Sequence, residues 1–298
     1  MIKKIVVFGG SGFLGKYFCE EVLLSDANIE LFNYDIHRTN IKSKYYHFIK
    51  GDIQDKKKIE KVLKNTDIVF NFAGMSDIEE CQNNPLESAK VNIIGNLNIL
   101  NSCVKNKVKK IFFASSLYSF SDQGSFYKCS KQSSEIYLME FKKLYNLDYV
   151  ILRYGSVYGK ECSTNNGIYK ILKNLIIKKK LLYKGDKNSE RSYIHVKDVA
   201  KITLKISKSK AKNCVYVIKG NKNMKISDLL NYIKKIMNVK YKISFEKNKL
   251  TAHYVKHPDK FTEPRVRQIK FREKISLDQG LLSLQNFMKE KFKKIGKI

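Results

Sequence analysis

Apolar residues come along the first half of the chain in short unbroken blocks, separated by glycine-containing or polar joints and by stretches with helical spacing. Lys3–Phe8 is such a block, of the kind that forms a strand buried on both faces. Ile29–Asp35, Tyr46–Lys50, Asp67–Phe72, Lys110–Ala114 and Tyr149–Tyr154 predict five more strands. Between them the apolar spacing predicts helices from Gly15 to about Leu24, over Lys56–Lys64, from Pro85 to about Asn106 and over Phe126–Leu144. Pro85 suits the first turn of its helix, where a backbone N–H has no partner in any case. This alternation predicts an α/β fold, a doubly wound parallel sheet with helices on both faces.

After Gly159 the rhythm loosens. Gly167–Lys178 and Asp198–Ser207 have helical spacing, and Val215–Ile218 suggests one more strand in the same sheet. Ser227 is placed to cap a helix running to about Met237. Ser276 and Gln279 fit a capping box for a last helix, with Leu277, Leu281, Leu284 and Met288 on one face. The expected division is a first domain over residues 1–159, with returns to it near 194–218, and a smaller C-terminal domain over 160–298.

Composition narrows the classes of function. With 298 residues, 43% hydrophobic, and 18 Tyr and 17 Phe, the chain can bury a large core, which excludes a disordered protein. No run of about 18 apolar residues exists, so no membrane span is expected, and Met1–Val7 is too short for a signal peptide. The six cysteines form no C-x-x-C pair and have no histidine cluster beside them, so free thiols in a reducing, cytoplasmic setting are expected and no metal. The net charge of +30 changes the picture less than its size suggests. All but six of the 58 basic residues are lysine, scattered along the chain with small clusters at 56–58, 178–180 and 289–294. That pattern fits solvated faces and lysine-rich codon usage better than a nucleic-acid partner, although the general field favours anionic substrates.

The chemistry-bearing residues fall at the joints of the predicted sheet. Gly9-Gly10-Ser11-Gly12-Phe13-Leu14-Gly15 reads G-x-x-G-x-x-G, directly after the first strand and opening the first helix. Glycines there let backbone amides approach a pyrophosphate, which the helix N-terminus then faces. Asp35 closes the second strand, where a carboxylate binds adenosine ribose hydroxyls and repels a 2′-phosphate, so NAD is favoured over NADP; Arg38 nearby works against that preference. Asp52 and Ile53 after the third strand are candidates to flank adenine, and Phe72, Ala73 and Gly74 are small or flat residues where a dinucleotide passes. Ser115 and Ser116 end the fifth strand, on the sheet edge where such folds bind ligands. Tyr127 and Lys131 are one helical turn apart, and an ammonium beside a phenol is expected to lower the phenol's pKa and make it a usable proton acceptor.

Glycine turn, acidic second strand, serines after strand five and Y-x-x-x-K, in this order, resemble the extended short-chain dehydrogenase/reductases, the nucleotide-sugar epimerase/dehydratase group. Val91-Asn92-Ile93-Ile94-Gly95, Leu152–Gly159, Arg191–Ala200 and Ser276–Leu281 extend the resemblance over nearly the whole chain. It implies a Rossmann-type sheet with a smaller C-terminal substrate-binding domain, a homodimer and a place in polysaccharide biosynthesis. By the same resemblance Ser116, Tyr127 and Lys131 form the catalytic triad, with Ser115 as the fallback serine. Gly9, Gly12, Phe13, Leu14, Gly15, Asp35, Asp52, Ile53, Phe72, Ala73, Gly74, Tyr127, Lys131 and Tyr154 would hold NAD. Ser115, Ser116, Tyr118, Ser156 and Arg191, with Arg265 or Arg267, would hold the nucleotide sugar. Tyr118 and Tyr154 have a plainer reading as core aromatics, His195 as a packed histidine, and Cys129 as a surface or interface thiol.

Three departures from the family pattern bear on substrate. Ser156 stands where many members carry Asn. The stretch from Ser116 to Tyr127 is short. Leu117-Tyr118 replaces the Asp-Glu pair usual in 4,6-dehydratases. The expected activity is therefore NAD-dependent epimerisation of a nucleotide-activated sugar, at C4. The alternatives are a ketoreductase or dehydrogenase, a 4,6-dehydratase, or a non-enzymatic dinucleotide-sensing or RNA-binding protein on the same fold.

Overall fold

The computed structural model describes residues 3–25, 28–246, 253–256, 258, 266–269 and 271–297. The chain forms two compact units: residues 1–154, 200–218 and 260–270 make one, and residues 155–199, 219–259 and 271–298 the other.

In the first unit β1 (Lys3–Phe8), β2 (Ile29–Asp35), β3 (Tyr46–Lys50), β4 (Ile68–Asn71), β5 (Lys110–Ser116) and β6 (Asp148–Tyr154) follow the predicted apolar blocks. With the later β11 (Cys214–Ile218) and β14 (Val266–Gln268) they form an eight-stranded sheet in the order β14-β11-β6-β5-β4-β1-β2-β3. Every described ladder in this sheet is parallel. Strand order reverses between β1 and β4, whose C-terminal ends border the ligand crevice of a doubly wound sheet.

Crossovers are made by α1 (Phe13–Ser25), α2 (Lys56–Val62), α3 (Ile78–Asn83), α4 (Pro85–Ala89), α5 (Gly95–Lys105) and α6 (Ser125–Tyr145). The expected helix from Pro85 exists, but a π turn over Lys90–Ile94 joins α4 to α5. The core beneath is apolar: Val6, Phe8, Val69, Ile99, Ile111, Phe113, Leu138 and Ile151 pack together, each at most 2% exposed. Burial of such side chains contributes about 1.5–3 kcal/mol each. α6 differs, because its buried face also carries the polar series Tyr127, Ser130, Lys131, Ser134 and Glu135. So polar a buried stripe needs partners, and those partners are the site.

In the second unit β7 (Ser156–Tyr158) pairs in parallel with β10 (Tyr193–His195), and β8 (Leu181–Lys184) with β13 (Ile243–Glu246). β9 (Glu190–Arg191) pairs antiparallel with β12 (Met224–Lys225). Helices α7 (Gly167–Lys178), α9 (Ile226–Ile236) and α10 (Leu277–Lys294) complete it, and α8 (Val196–Ser207) carries the chain into the first unit. α10 has the expected capping box at Ser276 and Gln279, and buries Leu281, Leu284, Met288 and Phe292. The Asp198 carboxylate accepts the backbone N–H groups of Lys274 and Ile275 just before it. One cap differs from expectation: α9 starts at Ile226 with Lys225 as its cap residue, so Ser227 lies inside the first turn. Backbone pairing of β12 with β9 holds Lys225 extended, which sets the helix start without a side-chain cap. Among the described residues no helix is long and apolar enough to cross a membrane.

Candidate active site

The glycine turn is built from close contacts that only hydrogen permits. A Cβ at Gly15 would lie 2.1 Å from the Gly9 carbonyl oxygen, and Gly9, at φ +76°, would strike the backbone of Phe72 and Ala73. Gly12 is different: the one contact of its Cβ would be with the Gly9 oxygen at 3.3 Å, so this side of the turn is open. The amides of Phe13 and Leu14 start α1, and first-turn N–H groups have no helical acceptor. Asp35 sits beside them, accepting the Ser11 N–H at 2.9 Å and the His37 N–H at 3.1 Å. An open amide-lined turn with a carboxylate at its rim fits a dinucleotide pyrophosphate and ribose. Arg38 lies over the Phe48 ring, with its guanidinium carbon 5.8 Å from the centroid.

Other expected cofactor residues divide into two kinds. Gly74, at φ +147°, brings the chain so near α4–α5 that a Cβ would meet Asn92 Oδ1 at 2.6 Å and Lys131 Nζ at 3.8 Å. Phe72 packs against Phe18, centroids 5.3 Å apart, and Ala73 donates its N–H to Asn71 Oδ1. Asp52 closes its turn through Gln54 N–H, and its carbonyl accepts the Tyr34 hydroxyl. Ile53 buries its side chain against Gly95, and its carbonyl accepts Asn98 Nδ2 at 3.1 Å. Tyr154 is buried, and its hydroxyl pairs with Thr203 on α8 at 3.0 Å.

Ser116, Tyr127 and Lys131 come together. Ser116 ends β5 and caps a 3-10 turn over Leu117–Phe120, its Oγ accepting the Tyr118 N–H at 3.3 Å. The Ser116 side chain is near enough to the Tyr127 phenol to favour its ionised form. Lys131 is buried one turn further along α6, donating to the Ala114 carbonyl at 2.9 Å, with Nζ 5.9 Å from the centre of the Tyr127 ring. Tyr118 stands edge-on to Tyr127, ring centres 6.3 Å apart.

The expected electrostatics need correction. Burial pushes the Tyr127 phenol up to about 12, against the Ser116 hydrogen bond that lowers it. Burial also brings Lys131 down to about 8, opposed by the nearby Cys81 and Glu135. Desolvation disfavours both charged forms and is the largest effect on each. At neutral pH the phenol is a proton donor and Lys131 remains mostly charged.

Ser115 turns its hydroxyl inward to the Glu135 carboxylate, which also binds Arg153. Asn92, carried inward by the π turn, bonds both backbone groups of Met75 and donates to Ser130 Oγ at 2.9 Å. Ser130 in turn donates to the Tyr127 carbonyl at 2.8 Å. Asn92 lies in a family motif, and the signal available for this role was a buried Asn on an otherwise apolar helix face.

In the second unit Arg191 is buried, stacked on Tyr254 at 4.0 Å, and donates to the carbonyls of Glu190 and Tyr254. Ser156 is partly buried at the start of β7. Arg265 lies outside the described residues, and Arg267 is exposed on β14 of the first unit. His195 is the packed histidine expected: 5% exposed, ring-to-ring with Tyr158 at 5.5 Å, and held down to about 4 by burial. Cys129 is exposed, and the other five cysteines are free and buried.

Sheet, glycine turn and serine–tyrosine–lysine cluster define a short-chain dehydrogenase-type enzyme. The chain belongs to the NAD dependent epimerase/dehydratase family, whose model matches residues 5–218. It is 26% identical to a Methanocaldococcus jannaschii protein provisionally named UDP-glucose 4-epimerase, over 96% of this chain and 98% of that one. Its fold is shared with the UDP-N-acetylglucosamine 4-epimerase of Methanobrevibacter ruminantium, solved with UDP-N-acetylmuramic acid (TM-score 0.83, 22% identity, 97% and 99% of the two chains). The UDP-glucuronic acid 4-epimerase of Bacillus cereus, solved with UDP-glucuronic acid and NAD, is also similar (TM-score 0.82, 21% identity, 97% and 99% covered).

Proposed function

We propose that the chain is an NAD-dependent 4-epimerase of a nucleotide-activated sugar, with Ser116, Tyr127 and Lys131 as its catalytic residues. The observation that carries this reading is the convergence on the Tyr127 phenol of Ser116, whose side chain favours its ionised form, and of Lys131, whose Nζ lies 5.9 Å from its ring centre. NAD, held by the glycine turn and by Asp35, supplies a positively charged hydride acceptor. In its phenolate form, which the positive charges of Lys131 and of bound NAD would favour against burial, Tyr127 would take the proton of the sugar C4 hydroxyl as that carbon loses hydride, and Ser116 would donate to the developing carbonyl oxygen. Lys131 keeps a positive charge near the phenolate. The 4-keto sugar then presents its other face, and Tyr127 returns the proton to O4 as hydride comes back.

Elimination of water needs a second acid and base beside this cluster. The two residues after Ser116 are Leu117, which is buried, and Tyr118, so no carboxylate stands there. This favours epimerisation or simple oxidation–reduction over 4,6-dehydration. Arg191 and Ser156 are the residues we assign to the nucleotide diphosphate and sugar. A homodimer is also part of this reading: Leu86, Ile94, Ile136, Tyr137 and Leu144 leave apolar surface exposed along the α4–α5 and α6 helices. The smaller unit would bind substrate, and the whole reading is of a cytoplasmic enzyme.

The test is a panel of UDP-, GDP- and dTDP-sugars incubated with purified protein. A C4 epimer formed without net NADH, and NAD released on denaturing the protein, is the expected result. An oxidised or 4-keto-6-deoxy product would replace epimerase by dehydrogenase or dehydratase. No turnover combined with steeply salt-dependent RNA binding would replace the enzyme by a binding protein.

A further inference from the structure

Glu135 and Arg153 form a buried ion pair in the first unit, beside the catalytic cluster. Each residue is 3% exposed. Arg153 Nε donates to Glu135 Oε1 at 2.8 Å and to Oε2 at 3.1 Å, and its terminal nitrogen also binds Oε2. Ser115 donates its hydroxyl to Oε1 of the same carboxylate. On the other side the guanidinium plane lies against the Phe120 ring, 3.4 Å from its centre. A buried pair of this kind adds little net stability, because the desolvation of two charges offsets their attraction, and apolar replacements are often as stable. Its retention in the core asks for another account.

The contacts supply one. Ser115 and Arg153 are register partners on β5 and β6, and Ser116 opposes Tyr154 in the next register step. Glu135 lies one turn past Lys131 and two past Tyr127 on the buried face of α6. One carboxylate thus ties α6 to both strands at the level of Ser115. The guanidinium plate then fixes Phe120, at the end of the 3-10 turn that starts directly after Ser116. Ser116 is bracketed in sequence by two residues, Ser115 and Phe120, that the same ion pair holds.

We propose that the Glu135–Arg153 pair is a positioning device, which sets Ser116 against Tyr127 and places a fixed negative charge one turn behind the Lys131 ammonium. This rests on the reading of Ser116, Tyr127 and Lys131 as the catalytic set. Neither residue of the pair is itself catalytic. The groups facing Lys131 are Cys81 from α3, Tyr127 and Glu135 from α6, with Arg153 of β6 behind Glu135. Among these Glu135 is the carboxylate, and it acts against the burial that pulls Lys131 down to about 8.

Three variants, one of them read by NMR, test the proposal on the NAD-loaded protein. In the double variant Glu135→Met, Arg153→Met, the melting temperature should stay within a few degrees of the parent while kcat falls at least tenfold and KM changes less than threefold. Ser115→Ala removes a single hydroxyl and should fold normally; it is expected to lower kcat several-fold in the same pattern. In Glu135→Gln, the ionisation midpoint of Lys131 should move down by half a unit or more. That midpoint is followed by NMR of 15N-labelled lysine side chains, with the signal assigned by its loss in Lys131→Arg. Folded double and Ser115→Ala variants with parental kcat, or an unmoved Lys131 midpoint in Glu135→Gln, would overturn it. The titration needs no substrate, so a parent without turnover on any nucleotide sugar would count against the proposed function and leave this test standing.

Discussion

Asn92 clasps Met75 from both sides: its Oδ1 accepts the Met75 N–H at 2.7 Å and its Nδ2 donates to the Met75 carbonyl at 3.0 Å. The loop after β4 is thereby locked to the π turn, and through Ser130 to α6. Asn92 is 4% exposed, so an unmet partner there cannot turn to water. Replacing it by Asp keeps the acceptor and removes the donor, leaving the Met75 carbonyl facing a carboxylate. Asn92→Asp is expected to destabilise the protein by about 1–3 kcal/mol in urea unfolding, the cost of a buried polar group losing its bond. A midpoint equal to the parent's would show that the clasp adds no stability.

Gly12 and Gly15 should not respond alike to the same added methyl group. Gly15→Ala drives a Cβ into the Gly9 carbonyl at 2.1 Å, a backbone clash that cannot relax locally, so the turn itself must rearrange. Gly12→Ala meets that oxygen at 3.3 Å and should fold. The expected outcome is a soluble, folded Gly12→Ala protein with NAD affinity lowered at least tenfold. Gly15→Ala should lose both NAD and several degrees of melting temperature. Calorimetric titration with NAD and thermal melts separate the two.

Loss of the phenol should stop the chemistry and leave the fold. Tyr127→Phe is expected to lower turnover by about 10²–10⁴, the usual contribution of a positioned acid–base group, with NAD still bound. Near-parental turnover in that variant would end the proposed mechanism.

The pH profile has a defined sign. Burial lowers Lys131 to about 8, so its ammonium is present below that pH and lost as pH rises through it. Turnover should therefore fall on an alkaline limb near pH 8. In Lys131→Arg, whose side chain stays charged, residual turnover should show no such limb. A separate window belongs to His195, which burial lowers from 6.5 to about 4. Its neutral form is favoured by folding, so the unfolded chain binds the extra proton between those values. Stability that is complete above pH 6.5 should be lost as pH falls towards 4. His195→Gln should flatten that part of the curve of melting temperature against pH.

Strands β1 to β6 and the glycine turn were legible because continuous apolar blocks and a fixed glycine spacing leave few alternatives. The two- and three-residue strands of the second unit were not, since pairs such as Glu190–Arg191 with Met224–Lys225 carry no periodic pattern. Helix α3 leaves little trace in the apolar pattern although Asp77 and Glu80 mark its start, the Asp77 side chain accepting the Glu80 N–H. With two buried residues in six, its apolar pattern is too short to stand out. At the site, Ser116, Tyr127 and Lys131 could be found from order and spacing alone. The raised phenol and the inward turn of Ser115 could not, because both follow from what surrounds them in three dimensions. The π turn that delivers Asn92 has no signature of composition.

The connectivity of the eight-stranded sheet has a consequence for synthesis. β6 is complete at Tyr154, yet its outer neighbour β11 begins only at Cys214, and β14 beyond that at Val266. A chain emerging N-terminus first, at about 5–20 residues per second, therefore leaves the ribosome with the hydrogen-bonding edge of a central strand bare for several seconds. Unprotected edges of this kind recruit foreign strands. The nascent protein should be most prone to aggregate, and most in need of a chaperone, in the interval between those two strands.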